Sequence, residues 1–378
     1  MKIRLGRDAL AEAVTWAARA LPARSPVPVL ACLLLTASDG RLTVSGFDYE
    51  VSAKFDAEAE VLEPGTVLVS GRLLSEIARS LPDLPVEVST DDTDAVLTCG
   101  ASRFELPTVP VEDYPKLPEM PPHLGTIDGA VFASAVAQVA VAAGRDDTLP
   151  VLTGVRIEIK GSTLRMVSTD RYRLAVRDVT WRPADPQAEL EEVALVPARS
   201  LHEIARSLSK GDEVSIGLST DESSGAALIG LGAGPRRATS RLLGTDFIKY
   251  QSVFPETYVG SAVIDRVALL EAAKRVALVT ERNSQMRLTL APGQITVDAG
   301  SSVEARGRET LPAHYEGEGI CFPANPTYIT EGLTMIDAPF LELSYTTPTK
   351  PAVFTARTEL DSEHDPSYRY LFMPLRSV

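Results

Sequence analysis

Any fold assigned to this chain has to accommodate a pattern that occurs three times. Phe132, Ala135, Val136, Val139, Ala140 and Ala143 follow the i, i+3, i+4, i+7 rhythm of a helix that buries one stripe. Leu10, Ala13, Val14, Ala17, Ala18 and Leu21 give the same rhythm upstream, and Leu269, Ala272, Ala273, Val276, Ala277 and Thr280 give it downstream. Pro28-Val29-Leu30 and Pro150-Val151-Leu152 share the 122-residue offset of the first two helices (150 minus 28, 132 minus 10), and so do Asp48 and Asp170. A second stripe recurs as Leu74, Ile77, Ala78 and Leu81, then 127 residues on as Leu201, Ile204, Ala205 and Leu208, then 128 further on as Ile329, Gly332, Leu333 and Ile336. Repetition at a fixed period sets the architecture before any local motif is read.

The 378 residues therefore divide into three repeats, expected at 1–122, 123–253 and 254–378. Between the helical stripes lie short strands. Val155, Ile157 and Ile159 alternate with Arg156, Glu158 and Lys160, the pattern of a sheet with one wet face. Asp39-Gly40, Lys160-Gly161 and Pro292-Gly293 mark hairpins, while the proline-rich 109–122 and the segment 247–255 read as linkers. The expected fold class is α+β, with each repeat packing two helices on antiparallel sheet.

Composition narrows the function. No run approaches the roughly 20 apolar residues of a membrane helix, and a net charge of -14 by itself disfavours wrapping a polyanion. Cys32, Cys99 and Cys321 are odd in number and widely spaced, which fits buried thiols in a reducing compartment better than a disulfide framework. Val29-Leu30-Ala31-Cys32 lacks the preceding apolar run of an export signal, so a cytoplasmic protein is expected.

Catalytic machinery is missing from the pattern. His123, His202, His314 and His364 are isolated, and no metal-ligand spacing occurs. Gly230-Leu231-Gly232-Ala233-Gly234 runs into Pro235-Arg236-Arg237 and a strand rather than a helix N-terminus, so it reads as a hairpin tip. Asp48 and Asp170 could be carboxylates of a hydrolase, but a repeated scaffold would repeat a turn-forming aspartate for structural reasons. No catalytic residue, metal or cofactor is expected.

The helices carry a different signal. Opposite their apolar stripes stand Arg7 and Arg19; Arg72 and Arg79; Arg199, Arg206 and Lys210; and Lys274 and Arg275, with Arg24, Arg145 and Arg282 just past the first helix of each repeat. Glu12, Glu76, Glu203 and Glu271 are interleaved, so a single helix would read as an ordinary solvated face. Repetition makes a phosphate-holding surface without base readout the better reading. A repeat-built protein-interaction adaptor that never contacts nucleic acid is the alternative.

Over its whole length the chain resembles the bacterial DNA polymerase III beta subunit family, the beta sliding clamps. The resemblance is carried by Met1-Lys2-Ile3, Pro28-Val29-Leu30, Ser168-Thr169-Asp170 with Arg173-Leu174-Ala175, the segment 247–255 and Met373-Pro374-Leu375-Arg376. It implies three DNA-clamp domains assembling as a ring-shaped, head-to-tail homodimer, helices inside, around double-stranded DNA. A non-catalytic processivity role follows, with Arg24, Arg72, Arg79, Arg145, Arg199, Arg206, Lys274 and Arg275 toward DNA. The dimer interface would bring Arg103, Phe104 and Leu106 of one subunit against the helix near Leu278 of the other. Implied partners are the polymerase III alpha subunit, the clamp loader, and other DNA polymerases and repair proteins, recruited through short linear motifs.

Carried over by position, the peptide groove would include Leu152, Thr169, Arg173, Leu174, Val253 and the C-terminal Leu371, Phe372, Met373, Pro374, Leu375 and Arg376. Arg171 and Tyr172 replace a glycine-histidine pair common in the family, making one side bulkier and more basic. Ile248 stands where a proline is frequent and Ser252 where an arginine is frequent, and Ser377-Val378 extend the chain past Arg376.

Overall fold

The computed structural model describes residues 1–22, 24, 27–91, 93–209, 213–220, 227–244, 246–280, 285–300 and 305–375. Lys210, Arg282 and Arg376, named above as candidate DNA or groove residues, lie outside the described residues.

Each repeat forms two helices. They are α1 (Arg7–Ala17) and α2 (Gly71–Ser80), α3 (Gly129–Ala140) and α4 (Ala198–Leu208), and α5 (Arg266–Ala277) and α6 (Pro326–Thr334). The predicted stripe of α1 is fully buried at Leu10, Ala13, Val14 and Ala17. Beyond Ala17 the helix tightens into a 3₁₀ turn at Ala18–Ala20. The third helix starts and stops earlier than its periodicity suggests, yet Ala142 and Ala143 remain buried in the turn after it. Side-chain caps fix two starts: Asp265 accepts the Ala268 amide at 2.8 Å, and Asn325 accepts that of Thr327 at 2.9 Å ahead of Pro326.

The chain packs as two compact units that cut across the repeats. One unit, Met1–Ala130 with Arg182–Asp185 and Ser207–Leu242, holds a 14-stranded sheet. Five of its strands come from the central repeat, and the last of them, Arg236–Arg241, pairs antiparallel with Val51–Glu58 of the first repeat. Ser52 and Thr239 hydroxyls share a buried hydrogen bond of 2.7 Å across that seam. The indole of Trp16 on α1 donates to the Arg237 carbonyl at 3.2 Å in the same unit.

The other unit holds an eight-stranded and a four-stranded sheet. Its seam joins Arg173–Thr180 of the central repeat to Asp365–Phe372 of the third, with Leu174 opposite Leu371 and Ala175 opposite Tyr370. Every ladder in both units is antiparallel among the described residues, as the alternating strands and two-residue hairpins required.

The first two repeats solve the helix-on-sheet contact differently at matching positions. Ser168 donates its hydroxyl to the carbonyl of Val139 at the end of α3. At the equivalent places (168 minus 122 and 139 minus 122), Gly46 lies so close to Ala17 that an added Cβ would collide with the Ala17 carbonyl. Backbone cannot give way as a flexible side chain can. Gly46→Ala should therefore cost about 1–3 kcal/mol through overpacking, read as a lower urea midpoint, and Gly46→Ser should cost at least as much although the next repeat carries serine there.

Candidate functional site

The site grows from one turn. Asp170 Oδ1 accepts the amides of Tyr172 and Arg173, each at 3.0 Å, while Oδ2 accepts Arg173 Nε at 3.0 Å. The turn holds Arg171 at φ 81° and leaves Tyr172 56% exposed. Asp48 builds the same turn, accepting from the Glu50 amide at 3.0 Å and the Val51 amide at 2.6 Å, with Tyr49 at φ 75°. Both aspartates are thus engaged as turn formers. Since the left-handed residue recurs where Tyr49 stands, it belongs to the turn rather than to a site.

Arg173 then does what Val51 cannot. Only 4% exposed, it meets Asp170 on one side and Glu331 of α6 on the other, and its guanidinium lies 4.5 Å from the centre of the Tyr328 ring. Burial works against its charge, but the Glu331 and Asp170 carboxylates more than offset this and keep it cationic. Tyr328 stacks in turn on Tyr172, centroids 6.4 Å apart and planes 22° from parallel. The second oxygen of Glu331 accepts from Arg145 Nη2 at 3.3 Å.

These groups wall a cleft of about 620 Å³. Ala143, Leu149 and Leu152 supply apolar lining; Arg145, Asp146, Asp170, Arg171 and Arg173 supply charge; Tyr172, Thr327 and Tyr328 complete it. In the same unit an apolar cluster of Val167, Leu174, Val176, Tyr250, Val353 and Leu371 carries half-buried Phe247, Val253, Phe254 and Met373. The segment 247–254 is therefore held down on sheet rather than free, and Tyr250 donates to Glu158 Oε2 at 3.0 Å. The Met373 amide donates to the Tyr172 carbonyl at 2.7 Å, tying the C-terminal segment to the turn. An apolar trough with a few fixed polar groups suits a short peptide.

The predicted groove residues fall into three groups. Leu152, Arg171, Tyr172 and Arg173 line the cleft, while Val253 and Met373 sit half-buried on the apolar cluster. Thr169, Leu174 and Leu371 are buried beneath; the Thr169 hydroxyl bonds the Arg173 carbonyl at 2.6 Å, and Pro374 is buried beside half-buried Leu375. Phe372 is a correction. Strand alternation turns it to the face opposite Leu371, where it packs 5.1 Å from Phe354. Ile248 is exposed.

Sequence reasoning missed Tyr328, Leu149 and Glu331, and it assigned Arg145 to DNA alone. For Glu331 a signal existed. Glu76, Glu203 and Glu331 are repeat equivalents, 127 and 128 apart. The first two pair one turn back with Arg72 at 3.0 Å and Arg199 at 3.3 Å, but Thr327 occupies that place in α6, so Glu331 is left for Arg173 and Arg145.

Of the other candidates, Arg24, Arg79 and Arg206 are exposed. Lys274 pairs with Glu271 at 2.9 Å and Arg275 with Glu309 at 2.7 Å. Leu278, closing α5, is 84% exposed, Arg103 is exposed and Phe104 half-buried. Leu106 is only 3% exposed; it shares the inward face of Ser102–Val109 with Phe104, and of the two only half-buried Phe104 keeps surface for a contact. Among the described residues no cluster of His, Cys, Asp and Glu could hold a metal, and no helix is long and apolar enough to cross a membrane.

Comparison with known proteins covers the whole chain. Models of the N-terminal, central and C-terminal domains of the DNA polymerase III beta subunit match residues 1–118, 126–249 and 251–376 in order. A beta sliding clamp of Streptomyces coelicolor is 54% identical over 376 residues, covering 100% of this chain and 99% of the relative. The beta sliding clamp homolog GriR of Streptomyces muensis is 42% identical over the same shares. Among solved structures, a sliding clamp from Pseudomonas aeruginosa bound to griselimycin superposes with a TM-score of 0.91 at 27% identity, covering 100% of both chains.

The two aspartate turns make a paired test. Asp170→Asn keeps an acceptor for the turn amides but loses the charge facing buried Arg173, and should cost about 1.5–3 kcal/mol. Asp48→Asn faces no such partner and should stay within about 0.5 kcal/mol. Urea unfolding of the two variants beside the parent checks the difference; equal losses would mean the Arg173 pair contributes nothing.

Proposed function

The chain belongs to the DNA polymerase III beta subunit family, the sliding clamps that make a polymerase processive without catalysing a reaction themselves, and from that premise we propose that two copies close head to tail around duplex DNA. In this reading the domains divide at 1–122, 123–253 and 254–378, and the protein works in the cytoplasm. The observation that carries it is the ordered match of three domain models along one chain.

Two open sheet edges support the closure. Ser102–Val109 pairs with Asp94–Cys99 on one side but meets Gly65–Ser70 only at Thr108 and Val109, leaving 102–107 open among the described residues. In the other unit Arg306–Pro312 ends the four-stranded sheet. Open edges invite pairing, and a partner copy covers them here. Leu278 and Phe104 supply the apolar contact and Arg103 the rim.

Arg24, Arg72, Arg79, Arg145, Arg199, Arg206, Lys274 and Arg275 face phosphates. Arg72, Arg199, Lys274 and Arg275 each keep a carboxylate close by, which weakens their hold on any one phosphate. Weak contact is what a sliding protein needs, and topology supplies the retention. The cleft at Tyr172 and Tyr328 receives short linear peptides of the polymerase alpha subunit, the clamp loader, other polymerases and repair proteins.

Protein loaded by its clamp loader onto nicked circular DNA should stay with the circle in gel filtration at moderate salt and be lost once the circle is linearised. Equal loss from both would overturn the encircling mechanism. Leu278→Asp should shift the sedimentation of the protein from dimer to monomer while leaving its circular dichroism unchanged; an intact dimer would remove α5 from the interface.

A further inference from the structure

Two seams join repeats within the chain, and both follow one rule of register. Gly46, Ser168 and Ala299 are each the sixth residue of the strand after a hairpin turn, and their ladder partners are Ala53, Ala175 and Gly307. The other ladders run Val88–Leu97–Phe104, Ile216–Leu231–Ala238 and Leu343–Phe354–Tyr370, each starting from the second buried apolar residue of its first strand. At the first seam Ala53 stands opposite Ala238, and at the second Ala175 stands opposite Tyr370. Equivalent residues meet at both.

The open edges at 102–107 and Arg306–Pro312 hold the third members of these two sets. The same rule would set Gly307 opposite Phe104 of a second copy, a small residue against an aromatic as at Ala175 and Tyr370. A Cβ at position 307 would point to the end of α5, 3.1 Å from Val279 Cγ2, so the Phe104 ring would come to rest beside Val279 and exposed Leu278.

One residue along, the seams carry different chemistry. Ser52 meets Thr239 through the buried 2.7 Å hydrogen bond, and Leu174 meets Leu371 in the apolar cluster. The third pair is Arg306 and Glu105, both exposed. Opposite charges directly across antiparallel strands attract, and such a pair suits a seam that closes from water. Arg308 would then face Arg103, as Lys54 faces Arg237 within one copy. There Asp56 takes Arg237; here Glu105 holds Arg103 at 2.9 Å.

We propose that Arg306 of one copy and Glu105 of its partner form the ion pair that sets the register of the seam between copies. The pair also keeps the seams distinct. A strand carrying Glu105, set against Arg173–Thr180 instead, would bury its carboxylate on Leu174 without a cation, which disfavours the exchange. The inference rests on the head-to-tail closure proposed above and adds its register and its specificity.

Fluorescence-detected sedimentation velocity of the full chain gives the dimer dissociation constant. Arg306→Met should raise it about three- to tenfold over the two seams of a ring, whereas Arg308→Met should leave it unchanged or lower it by relieving Arg103. Glu105→Arg should raise it about tenfold or more, and adding Arg306→Glu should return it to within about threefold of the parent, because the pair is then restored in reverse. Loss with Arg308→Met but not with Arg306→Met would overturn the proposal by setting the register two residues away. An unchanged constant in both Arg306→Met and Glu105→Arg would overturn it as well. Leu278→Asp separates this proposal from the closure it rests on: if that variant breaks the dimer while Glu105→Arg and Arg306→Met leave it intact, head-to-tail closure stands and the ion pair falls. A parent protein that stays monomeric at micromolar concentration removes the closure itself, and the proposal with it.

Discussion

The structure depends on antiparallel pairing between strands of different repeats. A repeat of two helices and a few short strands cannot bury both its stripes and its strand edges alone. Here the central repeat gives Arg236–Arg241 to Val51–Glu58 of the first and takes Asp365–Phe372 of the third against its own Arg173–Thr180. The second seam also fixes the site. Its register sets Leu174 opposite Leu371 on the face carrying Val253 and Met373, and it brings the Met373 amide to the Tyr172 carbonyl. A slip of one residue would exchange Leu371 for Phe372 on that face and break up the buried apolar cluster.

The features legible in the sequence are those set by local periodicity. The helical stripes, the hairpin turns, the aspartate turns and the buried sheet faces all follow from rules spanning fewer than about ten residues. Reading by position fell short in two ways, by passing over local strand alternation and by missing contacts between residues far apart in sequence. Taking Leu371 to Leu375 as one groove segment ignores the alternation that sends Phe372 to the opposite face, and Leu106 turns inward for the same reason. Arg173 and Glu331 are 158 residues apart, and no periodic pattern joins them. Tyr328 was equally hidden, because a tyrosine on an amphipathic helix reads as ordinary packing until its neighbour across the seam is known.

Charge poses a similar problem of scale. A net charge of -14 suggests repulsion from DNA, yet a formal sum has no geometry. Several basic side chains on the helices sit within reach of a carboxylate on the same or a neighbouring element, as in Arg72 with Glu76 and Arg275 with Glu309. Such exposed pairs contribute little to stability and are easily exchanged for a phosphate. In the proposed reading such exchange gives the shallow affinity that a protein moving along DNA needs.

The cleft shows how a repeated scaffold acquires a site without acquiring a new backbone. The turn at Asp170 matches the one at Asp48, down to a non-glycine residue with positive φ, so the strained conformation at Arg171 belongs to the turn rather than to the site. What differs is side-chain partnership. In α2 and α4 the repeated glutamate is held by an arginine one turn earlier; in α6 threonine replaces that arginine, and Glu331 reaches across to Arg173 instead of pairing along its own helix. Val51, at the position of Arg173 in the first repeat, could not have used it. Two differences between the repeats on elements far apart in sequence, a threonine that leaves the α6 carboxylate unpaired along its helix and a buried arginine that meets it, make a structural turn one wall of a cleft.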